Sequence, residues 1–272
     1  MAHVSSDDSR TGAGGPVEPS GRRPCVVTGA GSGIGRAIAD DLERHGWPTV
    51  LLDVRPITDR PATDRRLVVR CDVTDEAAVH EAFRRSGEHF GAPPWGCFAN
   101  AGVSGGADHF VDVTVDRFRR LVDLNLVGCF ITMREAALAM QPAGGRIVAT
   151  ASVAGVTGSP WSGVPYAAAK AGIINMVKQA AIRLAPHGIT VNAICPGPIE
   201  TEAGGGAMHD PVVAEQLAAP VPLGRIGQPE EIVGVSRLLV SPEASFITGQ
   251  VIAVDGGMTA WSGSFRPLPV VS

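Results

Sequence analysis

Seven short apolar runs alternate with longer segments of helical periodicity, and this alternation constrains the fold more than any other feature of the sequence. The runs are mostly β-branched and nearly continuous in hydrophobicity, which is typical of strands covered on both faces. They are Cys25–Val27, Thr49–Leu52, Leu67–Val69, Gly96–Ala99, Arg146–Ala149, Ile189–Ile194 and Gln250–Val254. We therefore predict an α/β fold with one doubly wound parallel sheet of about seven strands and helices on both faces. Right-handed crossovers would then place ligand-binding loops at the carboxyl ends of the strands.

The segments between the runs predict the helices. Apolar residues repeat at helical spacing from Ile34 and stop at Gly46, and Thr74 is positioned to cap a second helix. Three longer helical segments run from about Val115 to Met140, Pro165 to Leu184 and Pro229 to Leu239.

The 272 residues suit one large domain. We expect a flexible polar leader over 1–23, a cofactor-binding and catalytic domain over 24–260, and a tail over 261–272. The leader lacks the apolar segment of a signal peptide, and no stretch of about 18 apolar residues is present, so we expect a cytoplasmic protein without membrane contact.

Charge and cysteine usage exclude several classes of function. The formal net charge of -4 and the aromatic content of 5% argue against a nucleic-acid surface, which needs clustered positive charge and stacking rings. Five cysteines match neither a zinc site nor a redox pair in their spacing, so we expect no metal and buried, reduced thiols. They are Cys25, Cys71, Cys97, Cys129 and Cys195.

A glycine-rich loop stands between the first strand and the first helix, where residues 28–35 read Thr-Gly-Ala-Gly-Ser-Gly-Ile-Gly. Glycines are needed there because a Cβ would block the tight turn or hold the backbone away from a pyrophosphate at the positive helix N-terminus. The standard Gly-x-Gly-x-x-Gly spacing is absent, and the observed spacing is Thr-Gly-x-x-x-Gly-x-Gly. The loop predicts a Rossmann-like dinucleotide site that uses Gly29, Ser32, Gly33, Ile34 and Gly35.

Asp53 ends the second strand, 20 residues after Gly33. A carboxylate there can accept hydrogen bonds from the adenosine ribose hydroxyls and would repel a 2'-phosphate. We therefore predict NAD as the cofactor in preference to NADP, although Arg36 and Arg55 are near enough in sequence to oppose that preference.

Tyr166 is the only tyrosine, and Lys170, one of only two lysines, follows it by four residues. This spacing places both side chains on one face of the helix that Pro165 opens. A phenol transfers protons poorly near neutrality, and a nearby ammonium favours its phenolate form. The compact ammonium also suits ribose hydroxyls, so the pair predicts a proton-transfer site beside a nucleotide.

With these residues the chain resembles the short-chain dehydrogenase/reductase family from about Pro24 to Thr259. The glycine loop resembles the family's cofactor loop, and residues 99–102, Ala-Asn-Ala-Gly, resemble its motif after strand four with Ala99 in place of the usual Asn. Tyr166 and Lys170 match the Tyr-x-x-x-Lys signature. The remaining matches are Asn125 in a helix, Ser152 after strand five, Pro196-Gly197 after strand six and Asp255-Gly256-Gly257 after strand seven.

The resemblance implies a role for each matched residue. Tyr166 would be the general base in alcohol oxidation and the acid in ketone reduction, Ser152 would bind the substrate oxygen, Lys170 would hold the nicotinamide ribose, and Asn125 would position a water in the proton relay. The implied cofactor contacts are Asp72 and Val73 with adenine, Asn100, Ala101 and Gly102 with the adjoining ribose, Pro196 and Gly197 in a turn, and Ile199 and Thr201 with the carboxamide. Homotetramers are common in the family, so we expect a homo-oligomer.

Two features bear on the substrate. Ser152 precedes Tyr166 by 14 residues, one more than in most members of the family, so we expect residues 161–165 to bulge near the reacting oxygen. We expect a lid over 198–224, with an apolar lining from Ile199, Met208, Val212, Val213, Leu217 and Val221. The expected substrate is a small, mostly apolar secondary alcohol or ketone, either cyclic or of the 3-oxoacyl type. Glu202 and His209 are expected to face solvent.

Two other functions remain open. Residues 102–106 read Gly-Val-Ser-Gly-Gly and match the Gly-x-Ser-x-Gly elbow of serine hydrolases, with Ser104 as the nucleophile. That elbow needs a strand, a sharp turn and a helix in immediate succession. The other alternative is a sensor that binds NAD without turnover.

Overall fold

A computed structural model describes residues 23–107, 109–201 and 210–260 of the chain. Its centre is a seven-stranded sheet in the order β3-β2-β1-β4-β5-β6-β7, and every pair of neighbouring strands is parallel. The strands are β1 Cys25–Thr28, β2 Thr49–Asp53, β3 Arg66–Arg70, β4 Gly96–Ala99, β5 Gly145–Thr150, β6 Ile189–Pro196 and β7 Val251–Val254. The predicted α/β fold and all seven predicted strands are confirmed.

Helices cover both faces of the sheet. They are α1 Gly33–Arg44, α2 Glu76–Phe90, α3 Val115–Val122, α4 Gly128–Met140, α5 Val164–Leu184, α6 Pro211–Ala218 and α7 Glu230–Val240. One core layer packs α2, α4 and α5 against the sheet, and the other packs α1 and α7 against the opposite face. The continuous hydrophobicity of the strands follows from this burial on both faces.

The prediction that Thr74 caps α2 is wrong. Asp75 is the N-cap, and its carboxylate accepts the backbone N–H groups of Ala77 and Ala78 at 3.0 and 3.1 Å. The Thr74 hydroxyl instead donates to Asp72. A carboxylate competes better for this position because its negative charge also interacts favourably with the helix dipole.

The single helix predicted from Val115 to Met140 is interrupted by a π-helical segment, Asp123–Val127, between α3 and α4. A π segment inserts one extra residue into a helical turn and changes which side chains face inward. Asn125 lies in this segment and is fully buried.

Arg23 packs against the folded domain, although we predicted that the flexible leader extends to residue 23. Its buried guanidinium donates to the carbonyl oxygens of Pro93, Pro94, Ala143 and Gly144, and its central carbon lies 5.1 Å from the centre of the Trp95 ring. These contacts fix residue 23 beside the amino ends of β4 and β5. The rest of the predicted leader, 1–22, and the tail, 261–272, lie outside the described residues.

All five cysteines are buried thiols, as predicted. Burial raises the pKa of the Cys71 and Cys195 thiols to about 11 and that of Cys129 to about 12. These values keep the thiols protonated and unreactive near neutrality. Across the described ranges, no helix is long and apolar enough to span a bilayer, and no cluster of three side chains of metal-ligand type occurs.

Candidate active site

The carboxyl ends of the strands border a cleft of about 1020 Å³. The strand order reverses between β1 and β4, and open α/β sheets bind ligands in the crevice at such a switch point. Segments that follow β2 and β3 lie on one side of this crevice, and segments that follow β5, β6 and β7 lie on the other. The volume is at the upper end for a ligand site and accommodates an extended molecule.

The glycine loop between β1 and α1 fits a dinucleotide. Gly29 and Gly33 have φ angles of +67° and +53°, in the left-handed region that favours glycine. A Cβ on Gly35 would lie 2.2 Å from the Gly29 carbonyl oxygen, so α1 contacts the loop without a gap. Ser32 occupies the N-cap position of α1, but its side chain makes no capping hydrogen bond. The first amides of α1, at residues that line the cleft, therefore have no side-chain cap and can bind an anion. The predicted loop residues Gly29, Ser32, Gly33 and Ile34 line the cleft.

Asp53 lies directly beneath this loop and is 93% buried by area. One carboxylate oxygen accepts the Gly31 N–H at 2.9 Å, and the other accepts the Arg55 N–H at 2.9 Å. A Cβ on Gly31 would lie 2.9 Å from the carboxylate, so glycine is required for this approach. The carboxylate is therefore held in a fixed orientation at the wall of the cleft.

The two arginines near Asp53 have different surroundings. The Arg36 guanidinium donates to Asp59 at 2.6 Å and does not line the cleft. The Arg55 guanidinium does line the cleft, lies 3.9 Å from the Asp53 carboxylate and donates to the Ser32 hydroxyl at 2.8 Å. Of the two, only Arg55 is placed where a cofactor phosphate would contact it.

Hydrogen bonds connect the glycine loop to the lysine across three strands. The Asn100 amide donates to the Thr28 carbonyl at 3.1 Å, and its oxygen accepts the Thr150 hydroxyl at 3.0 Å. The Thr150 carbonyl in turn accepts the Lys170 ammonium at 2.7 Å. Thr150 could not be identified from the sequence, because its contact with Lys170 is made by the main chain.

Tyr166 and Lys170 lie together on the first two turns of α5, with the ammonium 5.4 Å from the centre of the phenol ring. Lys170 is 97% buried by area and Tyr166 is half-buried. Ser152 lies two residues after β5, and its hydroxyl accepts the Ala154 N–H at 3.1 Å, which fixes its rotamer. All three side chains line the cleft that the glycine loop borders.

Asn125 does not line the cleft. Its amide oxygen accepts the Val103 N–H at 3.2 Å, and its amide nitrogen donates to the Val103 and Leu121 carbonyls at 3.1 and 2.9 Å. The side chain therefore fixes the loop after β4 to the π segment. A Cβ on Gly102 would lie 2.5 Å from the Asn125 amide oxygen and 3.6 Å from the Lys170 ammonium, so Asn125 and Lys170 are close neighbours.

The remaining predicted cofactor residues also lie along the cleft, except Gly35, which is under the loop. Asp72 and Val73 follow β3 on the Asp53 side, and Asn100, Ala101 and Gly102 follow β4 in the centre. Pro196 ends β6, and Gly197, Ile199 and Thr201 follow it on the far side. The sequence analysis missed Arg120, Asp123 and Leu124 on α3 and the π segment, and Met258 after β7, none of which belongs to a recognisable motif.

The predicted lid is described only in part. A parallel bridge joins Ile199, near the start of the lid, to Gly227, three residues beyond its end, and α6 lies between these two residues in the chain. Ile199, Val213 and Leu217 line the cleft as predicted, whereas Val212 is 61% exposed and Val221 packs beneath Gly256. The predictions for Glu202, Met208 and His209 lie outside the described residues.

The serine hydrolase alternative is not supported. Ala101–Ala107 forms no helix, and α3 begins only at Val115, so Ser104 is not on a strand-turn-helix elbow. Ser104 nevertheless lines the cleft.

A turn closed by a hydrogen bond from the Ser162 N–H to the Ser159 carbonyl lies within the longer segment between Ser152 and Tyr166.

A Rossmann-like sheet with a glycine loop, a fixed carboxylate and a Tyr-Lys pair in one cleft is the arrangement expected of a nucleotide-dependent oxidoreductase. A family model described as enoyl-(acyl carrier protein) reductase matches residues 29–259. Over 250 residues the chain is 38% identical to cis-4-hydroxycyclohexanecarboxylate dehydrogenase of Sinomonas cyclohexanicum, covering 89% of this chain and 99% of the relative.

Two further comparisons agree. The chain is 38% identical over 239 residues to the 3-oxoacyl-[acyl-carrier-protein] reductase MabA of Mycobacterium avium, covering 87% of this chain and 89% of the relative. The crystal structure of levodione reductase matches with a TM-score of 0.81 and 33% identity, covering 88% of this chain and 98% of that structure. The chain belongs to the short-chain dehydrogenase/reductase family, and it is an alcohol or ketone oxidoreductase that uses a nicotinamide cofactor.

Proposed function

We propose that the protein transfers a hydride between NAD(H) and a small, mostly apolar cyclic secondary alcohol or its ketone. One observation carries the proposal: Tyr166, Ser152 and Lys170 line the same cleft as the glycine loop and the fixed carboxylate of Asp53. A substrate oxygen between Tyr166 and Ser152 would thus lie beside the nicotinamide end of a cofactor whose adenosine end lies near Asp53.

In alcohol oxidation the Tyr166 phenolate oxygen takes the hydroxyl proton, and the Ser152 hydroxyl donates a hydrogen bond to the substrate oxygen. The bound nicotinamide would supply the acceptor for the hydride that leaves the carbinol carbon. The Lys170 ammonium, held by the Thr150 carbonyl, stabilises the phenolate electrostatically and has further N–H donors for the ribose hydroxyls. Asn125 holds the loop beside Lys170 where a relay water would bind. Ketone reduction runs the same steps in reverse.

The preference for NAD rests on Asp53. Both of its oxygens accept main-chain N–H groups, so the carboxylate cannot rotate away from a ligand at the ribose position. Each oxygen retains a lone pair for a ribose hydroxyl. A 2'-phosphate there would face a buried negative charge, and the repulsion is strong at low dielectric.

The cyclic substrate rests on the relatives and on the charge of the cleft. Two relatives are named dehydrogenases of a 4-hydroxycyclohexanecarboxylate and of a dichlorocyclohexadiene diol, and both names describe a six-membered ring that carries a secondary alcohol. The charged cleft residues apart from Lys170 follow β2 or β3 or lie on α3 and the π segment. Among the described residues, those contributed after β5, β6 and β7 are otherwise uncharged, and they include Trp161, Leu217, Pro220 and Met258. An uncharged ring fits this side, and a 3-oxoacyl thioester is the second candidate because a relative is a 3-oxoacyl reductase.

The first test is a substrate panel assayed with NAD and NADP separately. We expect turnover of cyclic secondary alcohols with NAD, and a preference for NADP or for a charged sugar phosphate would contradict the proposal. The same assay with 3-oxoacyl thioesters and NADH distinguishes the second candidate.

The second test uses the scarcity of lysine and tyrosine. Tyr166→Phe should abolish turnover while NAD binding is retained, and Lys170→Met should impair both. Lys178→Met is the matched control, because Lys178 is the other lysine and is exposed on the same helix. Unchanged turnover in Tyr166→Phe would refute the mechanism and revive the sensor alternative.

The family resemblance also supports a cytoplasmic homotetramer. Light scattering on the purified protein tests the assembly, and a monomer under assay conditions would contradict it.

A further inference from the structure

One wall of the cleft is formed by two segments in direct contact. Residues 102–107 follow β4, and residues 159–163 precede α5. A Cβ on Gly163 would lie 2.5 Å from the Gly106 carbonyl oxygen, so the two backbones touch. A Cβ on Gly105 would lie 2.8 Å from Leu121, which fixes the first segment against α3.

This wall brings three half-buried serines to the cleft, Ser104, Ser159 and Ser162. The Ser159 hydroxyl accepts the Trp161 N–H at 3.3 Å. The Ser104 and Ser162 hydroxyls make no hydrogen bond with any other residue that the structure describes. Each is therefore able to donate and to accept with a ligand.

Arg120 and Asp123 also line the cleft and are charged, but the described side chains that follow β5, β6 and β7 offer few further partners to a second, uncharged polar atom. Trp161, Val213, Leu217, Pro220 and Met258 bring apolar surface to the cleft. The Ser152 hydroxyl and the Tyr166 phenol are reserved for the reacting oxygen. A substrate oxygen that is not reacting would be desolvated in the cleft unless Ser104 or Ser162 received it.

We propose that Ser104 and Ser162 are specificity-determining residues that bind a second, uncharged oxygen of a cyclic substrate, so that diols and hydroxyketones are preferred over simple cyclic alcohols. This inference rests on the proposed function and names its substrate class. The extra residue between Ser152 and Tyr166 lengthens the segment in which the turn brings Ser162 to the cleft. A site built to bond a hydroxyl discriminates against an analogue that lacks one, because its own polar groups then lose their partner.

The experiment compares kcat/KM for cyclohexanol, cyclohexane-1,3-diol and cyclohexane-1,4-diol with NAD. The wild type should prefer at least one diol over cyclohexanol by about tenfold or more. Ser162→Ala and Ser104→Ala should each lower kcat/KM for that diol about threefold to tenfold, the range expected for one hydrogen bond between neutral groups. Both variants should lower kcat/KM for cyclohexanol by a smaller factor than kcat/KM for the diol.

Ser159→Ala is the comparison variant: its hydroxyl already accepts the Trp161 N–H, so this variant should alter the ratio of kcat/KM for the diol to kcat/KM for cyclohexanol less than Ser162→Ala or Ser104→Ala does. Equal kcat/KM for diols and cyclohexanol in the wild type would overturn the inference while the proposed function stands. The inference would also be overturned by a serine variant that lowers kcat/KM equally for the diol and for cyclohexanol. A wild-type preference for 4-hydroxycyclohexanecarboxylate that neither variant changes would overturn it as well. Failure of the wild type to oxidise any of these rings would instead refute the proposed function.

Discussion

Replacement of Asp53 by asparagine should reverse much of the cofactor preference. The carboxylate has two acceptor oxygens, and each receives a main-chain N–H, from Gly31 and from Arg55. Asparagine keeps one oxygen, so its amide nitrogen must face one of these N–H groups. The variant therefore loses one charge-assisted hydrogen bond and weakens the acceptor for the ribose hydroxyls.

The magnitude follows from these contacts. A hydrogen bond to a charged group contributes about 1.5–3 kcal/mol, so kcat/KM with NAD should fall roughly 10- to 100-fold. Loss of the negative charge removes a repulsion of about 2–4 kcal/mol between the carboxylate and a 2'-phosphate about 4–8 Å away, at an effective dielectric constant of about 20. The Arg55 guanidinium, now 3.9 Å from the carboxylate, becomes available to that phosphate. The ratio of NAD to NADP efficiency should therefore fall by at least about 100-fold.

The assay is steady-state oxidation of one cyclic alcohol with each cofactor, followed by the absorbance of the reduced nicotinamide. Asp59→Asn is the matched control, because it removes a nearby carboxylate that pairs with Arg36 outside the cleft. That control should leave the ratio unchanged. If Asp53→Asn lowers the efficiency with both cofactors by the same factor, Asp53 only supports the glycine loop and the reasoning fails.

Three further predictions concern stability and reactivity. Gly35→Ala should reduce the free energy of unfolding, measured in urea, by about 3 kcal/mol or more, because the new Cβ would lie 2.2 Å from a backbone carbonyl oxygen. Gly87→Ala should raise that free energy by about 1 kcal/mol, because Gly87 lies in α2 with open space around it. Equal effects of the two variants would contradict the steric argument. Burial would raise the pKa of the Glu43 carboxyl, but hydrogen bonds from Arg66 and Thr49 outweigh it and lower this pKa from 4.5 to about 2. The stability that Glu43 contributes is thus present above about pH 4.5 and lost as the pH falls toward 2, so the advantage of wild type over Glu43→Gln in thermal melts should shrink over that range, and a constant difference would refute it. Ellman's reagent at pH 8 should react with none of the five cysteines in the native protein and with all five in guanidinium, because all five are buried and burial raises the pKa of the Cys71, Cys97, Cys129 and Cys195 thiols. Rapid labelling of the native protein would contradict this.

The sheet and the cofactor loop could be predicted from the sequence because both depend on local patterns. Strands buried on two faces need continuous apolar runs, and the tight loop before α1 needs glycine where a Cβ would collide, as at Gly35. The Tyr-Lys pair could be predicted for the same reason, since i,i+4 spacing on a helix fixes a shared face.

The other parts of the site depend on tertiary contacts that spacing does not encode. The π segment at Asn125 is stabilised by hydrogen bonds to Val103, which is 22 residues away in the sequence. Thr150 acts on Lys170 through a carbonyl group that every residue type has. The error at Thr74 arose because two adjacent residues could both cap α2, and the carboxylate of Asp75 competes better than a hydroxyl.

In the proposed mechanism the sheet holds the proton-transfer groups, whereas irregular segments outside the sheet contact the substrate. The end of β5 connects the proposed catalytic lysine to the glycine loop, because the Thr150 hydroxyl donates to Asn100 and the Thr150 carbonyl accepts from Lys170. Any shift of this strand would therefore move the lysine relative to the glycine loop, so the proton-transfer geometry depends on the sheet itself. Ser104 and Ser162 lie on irregular segments outside the sheet, where a substitution changes what contacts the substrate without removing a core contact. Substrate preference is thus the property most free to vary in this protein, whereas changes at Thr150 or Asn100 should affect every substrate alike.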